Sequence, residues 1–115
     1  MILDVEAVKE SSRVCIEEWG KALERLNEEE RRYKEKFRSI RRKIRETEKE
    51  IRAEKENELK YLTLCDKLAV QKELAAAMEE VLRNISRCQK NYLKATKKTM
   101  GHLDNILMLW KNLNS

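Results

Sequence analysis

The chain has 115 residues, 41% of them charged and 5% aromatic, and a formal net charge of +5. It holds no proline and two glycines, Gly20 and Gly101. Tight turns and sheet edges draw on both residue types, so this composition argues against a sheet-rich fold and for long helices. Hydrophobic residues make up 41% of the chain and recur at regular spacings, which argues against disorder.

The chain opens Met1-Ile2-Leu3-Asp4-Val5-Glu6, with acid where a secretory signal needs a basic start. The end at Ser115 is equally compatible with a segment of a longer protein. From Ile16 the apolar residues then step by three and four. Ile16, Trp19, Leu23, Leu26, Tyr33, Phe37, Ile40, Ile44 and Ile51 share the a and d positions of one heptad frame, which Glu30 and Thr47 interrupt. Val5, Val8 and Cys15 extend the stripe backwards less cleanly. A run sustained over about five heptads marks a coiled coil rather than a surface helix.

The frame lapses over Arg52 to Leu59, where Glu54 and Glu58 occupy sites that would be core. A second frame opens at Tyr61 and runs through Leu64, Leu68, Ala75, Met78, Leu82, Ile85, Tyr92, Leu103, Ile106, Trp110 and Leu113, with Gln71, Gln89, Thr96 and Thr99 as polar members. The fold class is therefore all-α: one coiled-coil domain over 1–115, with arm 1 at about 3–53 and arm 2 at about 59–114. Two forms satisfy the pattern. One is an uninterrupted helix that pairs antiparallel with a second copy. The other is a hairpin turning near 52–60, able to dimerise into a four-helix bundle. The lapse contains no glycine or proline and only Asn57 is turn-like, so local propensity favours the uninterrupted helix.

Charge sets the orientation. Residues 1–30 carry four basic and nine acidic side chains, and 31–55 carry twelve and five. Folding the chain about its midpoint sets them against 83–112, with seven basic and one acidic, and 58–82, with three and five. Opposite signs then face each other along the whole length, whereas a parallel in-register dimer would stack like on like.

Three surfaces stand apart from the seam. Val70, Leu74, Ala77 and Val81 fall on c and g positions, a second stripe that a further helix would cover. The C-terminal cluster of Ile106, Leu107, Met108, Leu109 and Trp110 would meet Ile2, Leu3, Val5 and Val8 at the apolar end, and Leu107, Leu109 and Trp110 suit a partner helix. Arg83, Arg87, Lys90, Lys94 and Lys97 step outward by four and three with Lys98 beside them, and Arg38 to Arg45 forms another basic run. Such stripes suit phosphates or acidic lipid, but the plainer reading is a solvated face complementing the acidic arm.

Catalysis finds no footing. His102 is the one histidine, no glycine-rich phosphate loop exists, and Glu28–Arg32, Glu30–Lys34 and Glu56–Lys60 pair at helical spacing. Cys15, Cys65 and Cys88 form no CxxC pair, so no metal or cofactor is expected. Cys65 and Cys88 flank the seam as buried fillers. Free thiols and the lack of an apolar span of ~20 residues point to a soluble protein of a reducing compartment, cytoplasm or nucleus. The expected function is a non-enzymatic oligomerisation or scaffold domain. It would self-associate antiparallel, with other helical proteins as further partners, and would space or bridge them in a larger complex. The competing reading is a basic module that binds nucleic acid or an acidic membrane through Arg83 to Lys98.

Overall fold

The computed structural model describes residues 4–114. Two helices account for nearly all of them: α1, Val5–Ala53, of 49 residues, and α2, Glu58–Leu113, of 56 residues. No strand occurs among the described residues. Asp4 starts α1, its Oδ1 accepting the Ala7 N–H at 3.0 Å and its carbonyl accepting the Val8 N–H at 3.1 Å. These satisfy N–H groups that the first turn otherwise leaves without acceptors. Ile2 and Leu3, expected at the apolar end, lie outside the described residues.

Between the helices the chain turns at Glu54–Asn57, so the hairpin replaces the uninterrupted helix favoured by local propensity. Two side chains do the work that glycine does elsewhere. Glu54 Oε1 accepts the Asn57 N–H at 3.0 Å, and Asn57 Oδ1 accepts the Lys60 N–H at 3.1 Å as the N-cap of α2. No described residue adopts a positive φ, so the turn tolerates a run of ordinary L-residues.

The chain forms two compact units. One is Glu29–Ile85, a hairpin that places Ile40, Thr47 and Lys43 along a groove with Lys67 and Gln71. Its opposite side sets Phe37 and Ile44 beside Ala75 and Ala76, a large residue against small ones. Ile40, Leu64 and Ile85 are buried, and each contributes about 1.5–3 kcal/mol by leaving water. Tyr33, Phe37, Ile44, Ile51, Leu68, Met78 and Leu82 are half-buried around them. Thr47 is the most enclosed side chain at 2% exposure, its hydroxyl donating to the Lys43 carbonyl at 2.9 Å. A threonine at a seam position is tolerated because the helix itself supplies the acceptor.

The second unit joins the residues before Glu29 to those after Ile85. Val5 is buried, and Ile16, Trp19, Leu23 and Leu26 of α1 are half-buried, as are Tyr92, Leu103 and Ile106 of α2. Gln89 Nε2 donates to Asn27 Oδ1 at 2.9 Å, joining side chains 62 positions apart. Each unit is an antiparallel helix pair.

Candidate functional site

The strongest candidates are surfaces. No cluster of histidine, cysteine, aspartate and glutamate able to hold a metal occurs among the described residues. No described helix is long and apolar enough to cross a membrane.

Within the Glu29–Ile85 unit, Val70 is 64% exposed and Leu74 44%, Ala77 is exposed, and Val81 is half-buried. Helical spacing aligns the four as a stripe beside the closed seam. In the other unit Leu107 is half-buried, while Leu109 is 62% exposed and Trp110 39%. Trp110 occupies a seam position in the last turn of α2. Leu113, in the same turn, and Tyr61, in the first turn of α2, are exposed as well.

Arg83, Arg87, Lys90, Lys94 and Lys97 are all exposed. Arg83 is paired with Glu80 at 2.9 Å. The other four have no carboxylate in reach among the described residues. Five acids of α1 pair within their own helix: Glu6 with Lys9 at 3.5 Å, Glu10 and Glu17 with Arg13, Glu29 with Arg32, and Glu30 with Lys34 at 3.3 Å. The Arg13 guanidinium, hydrogen-bonded to Glu10, holds that carboxyl below its ordinary range, and the two glutamates together raise the Arg13 pKa. Opposed net charges therefore act between the arms as a screened field and not as contact pairs. Two expected pairs are replaced: Arg32 takes Glu29 in place of Glu28, and Lys60 takes Glu54 across the turn at 3.4 Å in place of Glu56.

Cys15 and Cys65 are half-buried, but Cys88 is exposed, which corrects its reading as a buried filler. Its g position faces a groove of about 360 Å³ lined by Trp19, Asn91, Tyr92 and Ala95. Sequence reasoning missed this groove. The signal was present in the small residue Ala95 one turn from Tyr92, which leaves the ring uncovered. A larger groove of about 580 Å³ runs over Phe37, Ile44 and Ala76, with the Arg41 guanidinium 5.6 Å from the centroid of the Phe37 ring. His102 is exposed.

No protein-family model, curated protein or solved structure matches this chain.

Proposed function

We propose that the protein is a non-catalytic helical assembly module that associates with a second copy of itself and holds other helical proteins in a larger complex. The observation that carries this reading is the stripe of exposed Val70, Leu74 and Ala77 with half-buried Val81, beside a seam that is already closed. Aligned apolar residues at helical spacing, on a helix whose core face is already occupied, are the pattern of a face awaiting another helix.

Surface area points the same way. The chain leaves 9437 Å² accessible, against about 6,600 Å² for a globular protein of its mass. The excess is somewhat more than each partner of an obligate dimer buries, roughly 1,000–2,500 Å². The stripe also suits self-pairing: two copies of α2 laid antiparallel about a dyad between residues 75 and 76 set Val70 against Val81 and Leu74 against Ala77. Partner proteins would engage the exposed end at Leu107, Leu109 and Trp110. Cytoplasm or nucleus is the setting this role suits.

Light scattering on the intact chain tests the reading. A mass twice the monomer that falls to the monomer in the Val70→Asp/Leu74→Asp variant supports it. A wild-type chain that stays monomeric at high micromolar concentration overturns it.

A further inference from the structure

We propose that the outward face of α2 between Arg87 and Lys111 docks on an anionic lipid bilayer. This face is separate from the Val70–Val81 stripe, and the inference does not depend on self-association.

Heptad geometry places Arg87, Lys90, Lys94 and Lys97 on the b and f positions, the side of α2 turned away from α1. Between Glu80 and Asp104 this helix has no acid. Among the described residues none of the four cations has an ion-pair partner. Of the α1 acids in the same unit, Glu6, Glu10 and Glu17 are held by Lys9 and Arg13 of their own helix, and Glu18, Glu24 and Glu28 reach none of the four cations. The arm whose net charge opposes theirs therefore gives these cations a screened field and no contact partner. Their complement lies outside the unit.

Apolar side chains on the same face decide what that complement is. Leu93 is 56% exposed, Met100 51% and Met108 63%, at e and f positions: Leu93 lies between Lys90 and Lys94, and the two methionines continue past Lys97 on either side of Asp104. Lipid recognition by a surface helix needs both features: cations that reach phosphate and carboxylate headgroups on flexible stems, and large apolar groups that enter the acyl boundary about 5–10 Å down. A nucleic-acid face would instead carry aromatic or planar groups for base stacking. Of the two aromatic residues in this stretch, Tyr92 is half-buried in the seam and lines the groove over Trp19, and Trp110 holds a seam position, off the b and f face. Exposed leucine and methionine gain nothing beside a phosphate backbone.

Flotation of the intact chain with vesicles tests the assignment, using phosphatidylcholine alone and phosphatidylcholine with about one third phosphatidylserine. Binding is expected to the anionic vesicles only. It should be lost as salt rises from roughly 50 to 500 mM. Lys90→Gln/Lys94→Gln/Lys97→Gln should lower the partition on the order of 100-fold. Leu93→Ser/Met100→Ser/Met108→Ser should lower it on the order of 10-fold or more. Far-UV circular dichroism should be unchanged in both variants, because these side chains hold no folded-state partner. No flotation at low salt, or flotation insensitive to salt, overturns the proposal. Retention of a duplex DNA or single-stranded RNA probe that weakens with the lysine changes but ignores the apolar ones reassigns the face to nucleic acid, and also overturns it.

Discussion

Glu54 and Asn57 close the turn by a relay: the carboxylate of Glu54 accepts the backbone N–H of Asn57 at 3.0 Å, and the side-chain amide oxygen of Asn57 accepts that of Lys60 at 3.1 Å. The first bond ends one helix and the second begins the next. Neither depends on the seam, so the relay can be cut without touching the core.

Replacing both residues by alanine should therefore change topology before it changes helicity. Loss of an N-cap costs about 1 kcal/mol, and alanine at both positions favours continuing α1 into α2. The expected product is a dimer in which each continuous helix takes its partner's arm. Refolding at rising concentration with mass measured by light scattering checks this. The Glu54→Ala/Asn57→Ala chain should pass into dimer at lower concentration than the Val70→Asp/Leu74→Asp chain, whose turn is intact.

Acid should weaken the same turn. The Asn57 N–H, with help from Lys60, lowers the Glu54 pKa below the ordinary 4.5, although partial burial opposes the shift. A carboxyl whose folded-state pKa is depressed stabilises the fold above its unfolded value and loses that contribution as pH falls through the folded one. Thermal melts of wild type and Glu54→Gln should thus differ near pH 7 and converge well below pH 4.5. A constant difference across that range refutes the assignment.

Gln71 offers a stabilising substitution. Its Oε1 is buried with no hydrogen-bond partner beside Ile40 and Thr47. Removing an unsatisfied buried acceptor relieves roughly 1–3 kcal/mol of desolvation cost. Gln71→Leu should raise the melting temperature. A polar seam residue also resists slippage of register, so the variant should exchange its seam amides less uniformly. Leu64→Ala, by contrast, should cost about 2–5 kcal/mol, since Leu64 is only 7% exposed.

The two glycines should both be replaceable. Beyond the backbone of its own turn and its two chain neighbours, neither Gly20 nor Gly101 has a heavy atom within 4 Å of the place a Cβ would occupy, and neither has positive φ. Alanine at each should add about 0.5–1 kcal/mol through helix propensity. Chemical denaturation of the single variants measures it.

The two proposed faces should respond to salt in opposite directions. Asp66, Glu73 and Glu80 border the Val70–Val81 stripe, and antiparallel self-pairing brings them to a common rim. Screening relieves that rim and leaves the apolar contact intact, while it removes the attraction of Lys90, Lys94 and Lys97 for lipid. Sedimentation across a salt series should show dimer maintained or strengthened where vesicle binding is lost.

Most of the seam was legible because Ile40, Leu64 and Ile85 declare themselves by spacing alone. Apolar residues every three and four positions have few other ways to leave water. The turn was not legible, since Glu54, Lys55 and Glu56 are good helix formers. The choice there rests on two hydrogen bonds that become available only once the chain has already reversed. Exposure at Trp110 escaped for a related reason: a heptad letter states which way a side chain points, not how much of it is covered. The partnerless state of Lys90 and Lys94 was hidden too, because net charge by segment does not say that Glu10 and Glu17 are already engaged by Arg13.

Antiparallel pairing in the unit that contains Val5 and Leu113 carries a mechanical consequence. Force applied through the two chain ends would reach one seam layer at a time, starting beside Val5. The bond between Asn27 and Gln89 would bear load only after the outer layers had parted. Such a joint opens gradually at low tension, whereas force directed along the helices must break every layer of the same unit at once. The module would therefore yield readily to pulling from its open end and resist being sheared.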